Sequence, residues 1–277
     1  MTVDRSAPRI AALEVAARTA IESWLVEFAG ADDDTLALRF AGLPRRVGRT
    51  MLGIDPATAD PDVDWNSFRL CDLAAAGLFA ARAPGDRGSL ALRLYQQGDA
   101  DERRMVLKAM TVSDLGEAAV ELLGAAHRQN DRLIFEAAFA DADLAARLLP
   151  DLDYHRALLK AAFIDLPLER MLGAERRASP LLSSMLLDFM SEREAAGRPV
   201  WAGSLELAAR APSPGVVDRL RGESWQGADA RRLGAARAMA LLPRGPEREA
   251  VRSTVRDRLV RERAPEIRAL LESIDFG

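Results

Sequence analysis

Nitrogen and sulfur side chains able to act as nucleophiles or metal ligands are few in this 277-residue chain: two lysines, two histidines and one cysteine, beside 36 arginines. His155 and Lys160 stand together in the stretch DYHRALLKAAF at 153–163. Burial lowers a lysine's pKa and activates it as an acid–base or Schiff-base group, so the pair has the types an active site needs. An internal repeat points elsewhere. DERRMVLKA at 101–109 aligns without gaps on DYHRALLKA at 153–161, and Asp, Arg, Leu, Lys and Ala recur at Asp101/Asp153, Arg104/Arg156, Leu107/Leu159, Lys108/Lys160 and Ala109/Ala161. Asp, Arg and Lys at i, i+3 and i+7 form one polar line along a helix. Both lysines of the protein therefore occupy one repeat position. Duplicating a unit duplicates its structural residues, which favours a scaffold lysine that snorkels and pairs with an acid of the next helix.

Arg128, Asn130 and Glu136 surround one predicted helix start. Arg and Asn there suit gripping a carboxylate or phosphate, with Glu as base. The alternative is a polar helix connection with a buried Arg–Glu pair. His127 and His155 are too few for a metal site, which takes three or more ligands. DPDVD at 60–64 imitates the start of a calcium loop, but Trp65 stands where glycine is needed and Cys71 where a bidentate glutamate is needed. A solvated loop is expected instead, and DDD at 32–34 is expected to cap the helix that follows. Cys71, among Leu, Ala and Phe, reads as a small buried apolar residue. Being alone, it can form neither an intrachain disulfide nor a Cys-based zinc site. Nothing implies a cofactor.

The elements that must position these residues read as helices. Apolar residues make up 49% of the chain and aromatics only 5%, so the core is built mainly from Ala, Leu and Val, a mixture that suits helix. Ile10, Leu13, Ala17, Ile21 and Leu25 recur at three- and four-residue steps, and 66–82, 87–96, 101–110, 113–126, 129–140 and 153–164 are further helix candidates. Ser179 can cap a helix over 180–196, opened by Pro180 and stopped by Gly197 and Pro199. Residues 54–65, with two prolines and four aspartates, form the obvious loop, and nothing alternates with period two. Residues 231–268 carry 11 arginines against five acids, an excess of +6, so the rest carries −10 within a net charge of −4. In that region Asp257–Arg261 and Arg258–Glu262 stand at i+4 and Glu249–Arg252 at i+3, the pattern of a salt-bridged, solvated face rather than a nucleic-acid site. The N-terminal stretch is interrupted by Arg9, Glu14 and Arg18, and the best apolar run, LAAAGLFAA at 73–81, is far too short to span a membrane. A soluble cytoplasmic protein is expected.

The stretch 127–200 resembles the EboA family. The residues that carry the resemblance are Arg128, Asn130, Glu136, Lys160, Phe163, Arg193, Gly197, Arg198 and Pro199. Pro44, Arg45, Gly48 and Arg49 in LPRRVGR resemble an earlier family element. After Glu136 the family has an Asn-Pro step, whereas this chain reads FADADLAARLLP and rebuilds the turn from Asp141 and Asp143. The resemblance implies a setting: such proteins are encoded with a prenyltransferase-like membrane protein, a metal-dependent hydrolase-like protein, a sugar-phosphate-cyclase-like protein and an isomerase-like barrel. Such sets are linked to making a specialised metabolite or moving it across the inner membrane.

The expectation is therefore an all-α chain, an α-solenoid of stacked antiparallel helix pairs of HEAT or armadillo type. Residues 1–200 would form an EboA-like domain and 201–277 further HEAT-like pairs. PEIR at 265–268 resembles a HEAT inter-repeat turn. The expected role is a non-catalytic adaptor for that metabolite's biosynthesis or transport. Its partners would be pathway enzymes, a membrane protein or an anionic small molecule, with no nucleic acid and no membrane insertion. Arg128, Asn130, Glu136, His155, Lys160 and Arg193 are the candidate binding residues. The rival is an α-helical enzyme acting on a phosphorylated or carboxylated intermediate, with Arg128, Glu136, His155 and Lys160 as its working residues.

Overall fold

Alanine, leucine and arginine lose little freedom in a helix, and they dominate this chain. In the computed structural model, which describes residues 5–28, 30–53 and 60–276, the regular structure is seventeen α-helices with short 3-10 turns at Trp65–Ser67, Leu168–Arg170 and Ala174–Arg177. Among the described residues there is no strand, only isolated bridges such as Met51 with Arg69 and Val63 with Ala142. The all-α expectation is met. Residues 54–59 of the expected loop lie outside the described residues. Asp60 and Asp62, just beyond, are not merely solvated: each receives the Arg5 guanidinium at 3.2 Å.

The chain divides into two compact units, Met1–Leu149 and Pro150–Gly277. The first contains α1 (Ser6–Ala11), α2 (Val15–Phe28), α3 (Asp33–Phe40), α4 (Leu43–Val47), α5 (Leu70–Ala81), α6 (Pro84–Gln97), α7 (Ala100–Met110), α8 (Ala118–Arg128), α9 (Arg132–Phe139) and α10 (Leu144–Leu148). Helix starts follow the chemistry of their caps. Asp32 opens α3 by accepting from Thr35 N at 2.7 Å, as the DDD run implied. Asp99 and Glu102 close a reciprocal capping box on α7. α5 packs against α7 and α7 against α9, while α6 packs against α8. Every residue of α5 from Cys71 to Phe79 is buried, so the most apolar run of the chain is a core helix. No described helix is long and apolar enough to cross a membrane.

The second unit contains α11 (Asp151–Phe163), α12 (Pro180–Ala195), α13 (Gly203–Arg210), α14 (Val216–Ser224), α15 (Asp229–Leu241), α16 (Pro246–Arg261) and α17 (Pro265–Glu272). The sequence-based boundary at 200 falls between α12 and α13. Ser179 caps α12, accepting from Leu182 N at 3.1 Å, and Gly197 turns away from it at φ 64°. α13 packs against α12 and α15, α15 against α17, and α14 against α15 and α16. Leu205, Leu220, Met239, Val251, Val255 and Leu271 meet in one apolar core. Of the arginine pairs expected here, Arg258–Glu262 forms, as does Glu249–Arg252 at 2.6 Å. Arg261 instead lies over the Trp225 ring, 5.2 Å from its centroid.

Candidate functional site

The two copies of the repeat have opposite fates. On α7 the polar line is an ion network inside the first unit. Asp101 accepts from Arg69 at 2.6 Å and Arg49 at 2.9 Å. Burial opposes its ionisation, but these two guanidinium groups still hold the Asp101 carboxyl below the usual range. Arg104 donates at 2.8 Å to Asp72, which is fully buried and also receives Arg69 at 2.9 Å. Lys108 donates to Ser67 Oγ at 2.8 Å, approaches Asp141 Oδ2 at 3.4 Å and lies 5.1 Å from the Phe68 ring centroid. Burial lowers the Lys108 pKa, and Asp141 opposes that shift. On α11 the first two members of the line face outward: Asp153 and Arg156 pair with each other at 3.2 Å, both exposed. Lys160 there is half-buried, which lowers its pKa. The sequence reasoning singled out Lys160, whereas Lys108 is the deeply buried lysine. The available signal was the unbroken apolar run Met105-Val106-Leu107 before it and Ala109-Met110 after it.

Arg128, Asn130 and Glu136 belong to the first unit. Arg128, which ends α8, and Asn130, between α8 and α9, are exposed, and Glu136, one turn into α9, accepts from Arg132 at 2.6 Å. His155, Lys160 and Arg193 belong to the second. His155 is buried, with Nε2 3.4 Å from the capping Ser179 Oγ, and burial lowers its pKa. Lys160 lies five residues further along α11, so the two side chains leave that helix on different faces. Arg193 sits 5.9 Å from the centroids of both Phe163 and Phe189. No group of three or more His, Cys, Asp or Glu side chains is arranged to hold a metal among the described residues.

A concavity with largely apolar walls lies elsewhere in the second unit. Met190 of α12, Val200 and Trp201, Leu205 of α13 and Leu233 of α15 wall a cleft of about 310 Å³. Trp201 Nε1 donates to Leu166 O at 2.6 Å, which fixes the indole as a wall. The polar rim is largely spent on itself: Arg219 pairs with Glu194 at 2.6 Å and Glu223 at 2.8 Å, and Arg231 pairs with the same two carboxylates. Glu206 of α13 is different. It is half-buried and makes no hydrogen bond or ion pair among the described residues, and burial raises its pKa. A second lobe of about 360 Å³, reaching Asp165 and Glu169, shares Trp201, Glu206 and Arg237 with the first. Gly203 floors it, since a Cβ there would stand 2.8 Å from Leu168 Cβ. None of the six residues chosen from sequence lines either lobe.

Residues 88–207 match the family model described as metabolite traffic protein EboA. That segment is EboA-like. The match runs from Gly88 in α6 to Leu207 in α13, so it takes in α7 with Asp101, Arg104 and Lys108, the 127–200 stretch and, at its end, Glu206, but not the Arg49, Arg69 and Asp72 partners of the α7 line. The LPRRVGR element at 43–49 and the cleft walls from α14 and α15 lie outside it. No curated protein and no solved structure matches the chain. In the turn after α9, Asp141 stands in the left-handed region at φ 65°. Asp141 aims its carboxylate at Lys108, and its carbonyl accepts from Asp64 N at 2.8 Å. In this EboA-like segment the turn at Asp141 is a structural joint.

Proposed function

We propose that this protein is a non-catalytic accessory of metabolite traffic that holds a small molecule in the second-unit cleft and passes it on unchanged to a protein of the same pathway. The observation that carries the reading is the cleft itself: apolar walls around a single uncommitted carboxylate, without a nucleophile or general-base pair along it. The family description supports the traffic setting. The rows α5–α7–α9 and α13–α15–α17 fit turns of an α-solenoid, each helix burying its face only against neighbours, and that architecture supports a binding rather than a catalytic role. We place the protein in the cytoplasm, where such an accessory would meet its pathway's enzymes.

The test uses the purified full chain incubated with a metabolite extract of its host, washed, and denatured to release what it holds. A small molecule recovered at one per chain and chemically unchanged supports the reading. A molecule recovered as a new product would return the enzyme reading, with Arg128, Glu136, His155 and Lys160 the first residues to substitute.

A further inference from the structure

The cleft of the second unit has a charge preference that the arginine count of the chain conceals. Three arginines border it, yet two of them are tied to carboxylates: Arg219 and Arg231 share Glu194 and Glu223. The third, Arg237, pairs with Glu266 at 3.3 Å. Glu206 remains, half-buried at the point where the two lobes meet, with Asp165 and Glu169 lining the far lobe. A partly desolvated carboxylate without a partner is costly, and a cation placed beside it removes that cost.

A second observation points to an occupant of the apolar lobe. Gly234 lies in the interior of α15 on the cleft wall, and a Cβ built there meets no atom within 4 Å. Glycine inside a helix costs about 0.5–1 kcal/mol relative to alanine. Neither a positive φ nor a close neighbour requires it here. What its small size provides is room in the cleft.

We infer that the cleft takes an amphipathic cation, its apolar body between Trp201, Leu205 and Leu233 beside Gly234 and its ammonium group on the Glu206 carboxylate. This rests on the reading of the cleft as the ligand site and fixes the sign of the ligand's charge. The groups that face Glu206 electrostatically are Arg237 and Arg210, which favour its ionised form, and Glu169, which disfavours it. A bound ammonium takes over the role the two arginines play at a distance.

The experiment is calorimetric titration of the full chain with three probes of one shape: phenethylamine, 2-phenylethanol and phenylacetate. The amine is expected to bind about tenfold more tightly than the alcohol, equivalent to about 1.4 kcal/mol, and the carboxylate most weakly. Glu206→Gln should abolish the amine's advantage and leave the alcohol's affinity unchanged, which a folding defect would not do. Gly234→Leu, filling the lobe without touching Glu206, should abolish binding of all three. A pH series on the unaltered chain gives a readout free of substitutions: amine affinity should fall as Glu206 protonates, alcohol affinity should not. Equal binding of amine and alcohol, or an amine preference that survives in E206Q, overturns the cation inference and leaves the cleft reading standing. Failure of all three probes to bind, or binding indifferent to Gly234→Leu, overturns the cleft reading and the inference with it.

Discussion

The Nζ of Lys108 stands 3.4 Å from Oδ2 of Asp141, and both side chains are almost wholly buried. Removing one member of a buried pair strands the other's charge, at about 3–5 kcal/mol. Lys108→Met should therefore destabilise the chain by that amount in urea unfolding, while Lys160→Met, at the equivalent repeat position, should cost about 1 kcal/mol or less. The double variant Lys108→Met/Asp141→Asn should recover part of the loss, because neither charge is then stranded. Equal effects of the two lysine substitutions would dismiss the distinction.

Cys71 is fully buried in α5, and burial, together with the neighbouring Asp72, pushes its thiol up to about 11. The thiolate is the reactive form, so the native protein should resist a thiol reagent at pH 8 over hours, and urea should expose one thiol per chain. Rapid labelling without denaturant would show that α5 opens locally.

Glu262 accepts from Arg232 at 3.0 Å and also receives Arg258 and the backbone N–H groups of Arg263 and Ala264. The Arg232 hydrogen bond, with the others behind it, holds its carboxyl at about 2 against burial. A carboxylate depressed in the folded state contributes stability above its unfolded pKa of about 4.5, lost as pH falls from there towards 2. Melting curves of wild type and Glu262→Gln should be well separated at pH 7 and converge by pH 2–3. A gap independent of pH would mean that shape rather than charge joins α15, α16 and the start of α17.

Gly234→Ala should raise the stability of the second unit by about 0.5–1 kcal/mol, since the added methyl meets no neighbour and restricts the unfolded chain. A loss of stability would mean that the α15 wall of the cleft is closed in solution.

Much of the helical framework could be read from the residues themselves. The Asp32 and Ser179 caps, Pro180 at the first turn of α12 and Gly197 beyond its end are local signals, set by which side chains can reach which backbone groups, and they appear where the pattern put them. The EboA resemblance was legible for the same reason, being carried by a contiguous run of residues. The i, i+4 arithmetic was less secure at the C-terminus: Arg258–Glu262 formed, but Arg261 went to Trp225, an aromatic 36 positions away in sequence that no local rule could nominate.

The sequence by itself determined that the chain is helical, where several helices begin and end, and that its two lysines stand at the same place in two similar nine-residue stretches. Only the tertiary structure decided which lysine is buried and which groups remain free. α7 is packed between α5 and α9, so its polar line must find partners inside the unit, whereas on α11 Asp153 and Arg156 stay in water and Lys160 is only half-buried. Local spacing showed that arginines would be paired but not with which carboxylates: Glu194 reaches Arg219, and Glu262 reaches Arg232, from helices far away in sequence. Burial and long-range pairing are properties of packed helices, and a one-dimensional pattern does not contain them.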